Sequence, residues 1–230
     1  LNAALDARED ASARFRGAEI ASDIRRRKFE AFMRYAETNE TPLRPERVVA
    51  ALQNILPETA TLVSDPGTTC PYFSAYFTLP RPGRHFITNR AHGALGYSLS
   101  ASLGAWYGRP ESKVVALMGD GSFGFTAGEL ETICRSRAPI TFVVMSNSAY
   151  GWIKASQKAD KGARYYNVDF GRTDHAAVAA AYGVKSWRVE RPEDLERVLR
   201  EAVETDGPTL VDVIAQPLEE AAAPVRRWMG

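Results

Sequence analysis

From residue 60 onward the apolar residues gather into short runs, at 60–64, 85–88, 113–118, 140–146, 184–189 and 208–214. The third, fourth and last are near-continuous Val, Ile, Leu, Met and Phe without alternation. Strands that read this way are covered on both faces, as in a parallel sheet. Between the runs, 94–108, 126–137, 173–182 and 192–204 read as helices. This strand–helix–strand repetition predicts an α/β fold: a doubly wound, mostly parallel sheet with helices on both faces. Upstream, Ile20, Ile24, Phe29, Phe32 and Met33 recur at helical spacing. Residues 1–41 therefore read as a helical linker or extension, and 42–230 as the domain. Pro45 suits the first turn of the next helix, whose apolar stripe is Val48, Val49, Leu52, Ile55 and Leu56.

Composition narrows the function classes. The 230 residues are 45% hydrophobic and 25% charged, ordinary for a folded domain of this length. Lys+Arg 29 against Asp+Glu 28 leaves a net charge of +1, so nothing favours nucleic acid or a membrane surface as partner. No apolar run approaches the roughly 18 residues of a membrane span, and no signal peptide is visible. Cys70 and Cys134 form no framework and read as free thiols of a reducing, cytoplasmic compartment. His85, His92 and His175 have no paired spacing that would suggest zinc. An opening Leu1 suits a fragment or a processed piece.

The chemistry-bearing stretch is the strand 113–118 running into Gly119-Asp120-Gly121-Ser122-Phe123-Gly124. Taken literally, Gly119, Gly121 and Gly124 satisfy GxGxxG. Asp120, however, places an anion where a dinucleotide site would present backbone N–H groups to a pyrophosphate. The following strand also ends in Ser146-Asn147, with no carboxylate for a ribose hydroxyl. A divalent cation removes the conflict, because magnesium takes hard oxygen ligands and bridges protein carboxylates to diphosphate. Asp120 and Asn147, 27 positions apart, fall at the carboxyl ends of successive strands joined by one crossover. In open α/β sheets that edge is where ligands bind. The turn Asn147-Ser148-Ala149-Tyr150-Gly151 offers a backbone carbonyl as a third ligand.

Gly119-Asp120-Gly121, followed about 26 residues later by Asn147 within Met145-Ser146-Asn147-Ser148-Ala149-Tyr150-Gly151-Trp152, resembles the signature of thiamine-diphosphate enzymes. The likeness extends over about residues 42–215. It is to the diphosphate-binding (PP) domain of acetolactate synthase, benzoylformate decarboxylase and oxalyl-CoA decarboxylase. The resemblance implies Mg2+ and thiamine diphosphate as cofactors. Asp120, Asn147 and the Ala149 carbonyl would be metal ligands, and Gly119, Gly121, Ser122 and Tyr150 would border the cofactor. Ser122 equally suits a helix N-cap. Asn89-Arg90-Ala91-His92-Gly93-Ala94-Leu95 resembles the stretch under the aminopyrimidine. There the Gly93 carbonyl would accept from the exocyclic amine, and Leu95 would keep the cofactor bent, a positioning effect that supplies rate. Taken alone, Leu95 is an ordinary core leucine. Two departures stand out. Ser100 occupies a usual Pro position, and His92 stands where a small residue is usual, either as a catalytic proton relay or as a hydrogen-bonded pocket edge. Gly67 and Thr68 would touch the diphosphate, although Asp65-Pro66-Gly67 also reads as a plain turn. Trp152, Ile153 and Lys154 would line the substrate entrance, with Lys154 facing a substrate carboxylate or simply exposed on a helix.

In this family the cofactor-activating glutamate lies on a pyrimidine-binding (PYR) domain. Such a domain needs roughly 150 residues, and 1–41 cannot hold it. The resemblance therefore implies a PYR-domain partner, in the same longer chain or a separate subunit, and a homo- or hetero-oligomer. The activity expected is cleavage or formation of the C–C bond beside the carbonyl of a small 2-oxo acid or acyl-CoA substrate. The alternatives are a non-catalytic diphosphate-binding or regulatory subunit, and a Rossmann oxidoreductase.

Overall fold

The structure is a computed structural model describing residues 17–221 and 223–225. Residues 1–16 of the expected helical linker lie outside the described residues. Six strands form one sheet: β1 (Thr61–Ser64), β2 (Phe86–Thr88), β3 (Val114–Gly119), β4 (Thr141–Ser146), β5 (Lys185–Val189) and β6 (Thr209–Ile214). Every pairing is parallel, in the order β2-β1-β3-β4-β6-β5. The helices are α1 (Gly17–Ala36), α2 (Pro45–Ile55), α3 (Thr69–Tyr76), α4 (Tyr97–Gly108), α5 (Asp120–Thr126), α6 (Leu130–Ser136), α7 (Gly151–Lys161), α8 (His175–Ala181) and α9 (Pro192–Glu204).

The unalternating strands have their cause in two cores. Successive strand residues point to opposite faces. Leu62, Val115, Leu117, Val143, Val211 and Val213 pack beneath α1, α2, α3 and α9. Their neighbours Val63, Val114, Ala116, Met118, Val144 and Leu210 pack against α4, α5, α6 and α8. Both faces are thus apolar and both are covered, the doubly wound α/β arrangement.

The stripe expected on α1 is buried only at its end. Phe32 is buried and stacks on Tyr76 at 4.6 Å, whereas Ile24 is 60% exposed. Two helices escape the periodicity. α3 contains Pro71 and buries Cys70, Tyr72 and Phe73, so it has no polar face to set a period. α7 begins at Gly151, inside what reads as a turn. No helix among the described residues is long and apolar enough to cross a membrane.

Because all strands run one way, their carboxyl ends share an edge. α3, leaving β1, packs on one face of the sheet, while α5 and α6, leaving β3, pack on the other. The loops after adjacent β1 and β3 therefore diverge, which opens a crevice at a topological switch point.

Candidate functional site

A cavity of about 270 Å³ occupies that crevice. The loop after β1 contributes Gly67 and Thr68, and the start of α5 contributes Asp120 and Ser122. Gly93 and Leu95 enter from the turn before α4, and Ala149 and Tyr150 from the loop after β4. Gly119 and Gly121 complete the β3 side.

Asp120 is the centre of the construction. It is 3% exposed. Its Oδ1 accepts the Gly121 N–H at 2.8 Å, and its Oδ2 accepts those of Asn147 at 2.9 Å and Ser148 at 2.6 Å. Burial pushes the carboxyl pKa up, opposed by the Ser148, Gly121 and Asn147 N–H groups and by the more distant His175. Among the described residues, no Lys or Arg side chain takes part. A buried carboxylate bonded only to backbone amides, beside an open cavity, could hold a cation.

The loop that grips it is itself tied down. Ser148 adopts a left-handed φ of 57°, and its carbonyl accepts the Phe170 N–H at 3.0 Å. Tyr150 N–H donates to the Val168 carbonyl at 2.8 Å. Tyr150 meets Phe170 edge to face, with centroids 5.0 Å apart. A Cβ on Gly121 would sit 2.8 Å from Tyr150 Cε1, so only glycine admits the ring. The Gly121 N–H is committed to Asp120, and Gly121 serves the cavity chiefly by its missing side chain.

Asn147 borders the neighbouring cavity rather than this one. Its Oδ1 takes the Ala149 N–H over a long 3.3 Å, and its Nδ2 is buried without a partner. Ser122 lies inside α5 rather than capping it.

The turn carrying Gly93 and Leu95 is held from below by Asp65. This buried carboxylate accepts from the Tyr97 N–H at 2.9 Å and from the Ser98 hydroxyl at 2.5 Å. Burial pushes its pKa up, opposed by the Ser98 hydroxyl and the N–H groups of Ser98, Tyr97 and Gly96. Gly93 has φ 73°, a left-handed conformation that suits glycine.

Two expectations meet a different geometry. His92 is exposed on the turn and does not line the cavity, so the relay role has no geometric support. Lys154 faces no substrate space: its Nζ lies 2.7 Å from Asp169 and 2.8 Å from Glu219. Burial pulls its pKa down, but Asp169 and Glu219 outweigh that and hold it well above the usual lysine range. The cation at the cavity is Arg90 instead. It donates to the Pro66 carbonyl at 3.4 Å and lies 5.5 Å over the Trp152 ring. Its place in the chain carries no signal for this, since the fold alone brings it to Trp152. Trp152 and Ile153 do line the cavity, as expected.

Comparisons with known proteins identify the family. The family described as "Thiamine pyrophosphate enzyme, C-terminal TPP binding domain" matches residues 65–213, more than half of the chain. Acetolactate synthase of Bacillus subtilis (strain 168) is 34% identical over 195 residues, covering 85% of this chain and 34% of that protein. Benzoylformate decarboxylase of Pseudomonas aeruginosa is 30% identical over 178 residues, 77% of this chain and 33% of the other. Among solved structures, the thiamine diphosphate-dependent 4-hydroxybenzoylformate decarboxylase of Rhodococcus jostii RHA1 superposes with a TM-score of 0.71 at 26% identity, over 77% of this chain and 33% of that one. The chain spans about a third of the length of the curated relatives it matches.

Proposed function

Since the chain belongs to the thiamine pyrophosphate enzymes, through their C-terminal TPP-binding domain, we propose that its cleft binds thiamine diphosphate through Mg2+ and serves a 2-oxo acid decarboxylase or carboligase of the acetolactate synthase type. Asp120 carries this reading: a buried carboxylate with three backbone donors, no Lys or Arg side chain among the described residues and an open cavity beside it.

The residues present fit the group. Asp120, the Asn147 carboxamide and the Ala149 carbonyl would hold the cation. The unpartnered Nδ2 of Asn147 marks a carboxamide whose hydrogen bonding is incomplete within the chain. Gly67, Thr68, Gly119, Gly121 and Ser122 would surround the diphosphate, with the Ser122 hydroxyl as a donor. Gly93 and Leu95 would support the ring system, and Tyr150 would close the wall above Gly121. When bound, thiamine diphosphate supplies the carbanion chemistry that attacks a 2-oxo acid carbonyl, with the protein providing orientation and electrostatics. Arg90, over Trp152 at the cavity, is placed to bind an anionic substrate group.

The chain's span of about a third of its relatives supports a requirement for a PYR-type domain, in the same longer chain or in a partner subunit, and an assembly with that domain against the cleft. The test is calorimetric titration of the chain with thiamine diphosphate plus Mg2+, with the same plus a chelator, and with NAD. Saturable binding only in the first overturns nothing; binding of NAD, or binding indifferent to the chelator, refutes the reading. Adding a PYR-type partner and assaying pyruvate loss then separates a catalytic half-site from a purely diphosphate-binding or regulatory subunit.

A further inference from the structure

Behind the cation loop lies a polar chain that the proposed chemistry leaves unused. β6 reads Thr-Leu-Val-Asp-Val-Ile, and Asp212 is fully buried in the middle of the sheet. A carboxylate there is strongly disfavoured unless donors surround it. Three do: Ser146 Oγ at 2.5 Å, the His175 backbone N–H at 3.2 Å and Arg188 Nη1 at 3.4 Å. Ser146 Oγ also lies 3.1 Å from His175 Nδ1. Ser146 has one hydroxyl proton, and Asp212 takes it, so Nδ1–H donates to the Ser146 lone pair.

The chain touches both halves of the site. Ser146 ends β4 and directly precedes Asn147, whose N–H, with that of Ser148, holds Asp120. The His175 ring stands edge-on to Phe123, centroids 5.4 Å apart at 88°, three residues beyond Asp120 in α5. Three further elements, β5, β6 and α8, thereby converge on the two segments that carry the cation ligands.

We propose that Asp212, Ser146 and His175 are positioning residues that set the cation loop, orienting the end of β4 so that Asn147 and Ser148 grip Asp120. The part concerning cation affinity rests on the reading of the cleft given above; the part concerning loop geometry does not. Outer-shell partners of this kind typically change metal affinity about 10–100-fold.

Two measurements on Ser146→Ala, with Ser146→Thr as the hydroxyl-retaining rescue, test it. In the ligand-free chain, amide exchange followed by NMR is expected to show about tenfold lower protection at Asn147 and Ser148 in Ser146→Ala. Val63, in β1, keeps its protection, and Ser146→Thr restores the wild-type pattern. In the Mg2+ titration with thiamine diphosphate present, Ser146→Ala is expected to weaken Mg2+ binding at least tenfold and Ser146→Thr less than threefold. Unchanged protection at Asn147 and Ser148 overturns the proposal, as does a uniform loss across the sheet. If the wild-type chain binds no cofactor, the reading of the cleft fails while the exchange result still decides the positioning. Should Ser146→Ala not fold, Asp212→Asn removes the acceptor and keeps the shape, with the same expected pattern.

Discussion

On either side of the end of β4 sits a buried aspartate, and the chain treats the two differently. Asp212, on β6, meets a hydroxyl, a backbone N–H and the guanidinium of Arg188, so a positive charge from the same chain stands against it. Asp120, after β3, meets three backbone N–H groups and, among the described residues, no Lys or Arg side chain. One carboxylate is neutralised from within; the other is left to the cation that we propose enters the cleft. On that proposal the first locks structure and the second makes a binding site, although both are buried Asp flanking the end of β4.

The sharpest way to break the comparison is to remove the carboxylate that we propose holds a cation. Asp120→Ala is expected to abolish the thermal shift produced by thiamine diphosphate with Mg2+, a loss of about 4 kcal/mol of ligand-derived stability at a thousandfold excess over Kd. Scanning calorimetry with and without both ligands checks it, and an unchanged shift would remove Asp120 from the site. Asp212→Ala should act on the free chain already. It orphans the Ser146 hydroxyl and the His175 N–H, for a cost of about 2–3 kcal/mol in urea unfolding that is present before any ligand is added. Gly121→Ala lies between the two. The added methyl would meet Tyr150 Cε1 at 2.8 Å, and displacing that ring is expected to cost about 1–3 kcal/mol of stability and to weaken cofactor binding.

Glu46 supplies the third and mildest case, a buried carboxylate whose surroundings offer little beyond its own backbone. Both of its oxygens, and the Tyr72 hydroxyl, lack partners. Burial raises its pKa above the ordinary 4.5, with the local backbone and Arg44 opposing. The folded state therefore holds the proton more tightly than the unfolded chain. Its contribution to stability is complete below pH 4.5 and is lost as pH rises through the folded pKa. Glu46→Gln is expected to be more stable than the parent at pH 7 and equal to it near pH 4; an equal difference at both values would show that the carboxyl does not titrate between them.

These contrasts also explain what local reading could reach. The sheet was legible because both faces are apolar, so the strands announce themselves without alternation. α3 was not, since a short buried helix with an internal proline has no amphipathic period. The cleft was legible where its residues lie in two contiguous motifs, Gly119 to Ser122 and Ala149 to Tyr150. It was illegible where partners come from far along the chain. Lys154 reads as a free cation until Asp169 and Glu219 fold against it. Asp65 reads as a turn residue until it receives the Tyr97 and Ser98 amides. Asp212 sits in an apolar strand with nothing nearby in sequence to explain it. Arg90 acquires a role only when Trp152 arrives beneath it.

The strand order carries a consequence for synthesis. β6 follows β4 and β5 along the chain, yet it slots between them. A ribosome that has delivered Asp120, Asn147 and the crossover between them has still to deliver Asp212. The growing polypeptide thus owns the cleft residues Asp120 and Tyr150 well before it owns the brace beneath them. If the cleft holds the vitamin-derived coenzyme as proposed, nascent chains halted near residue 205 should be unable to retain it.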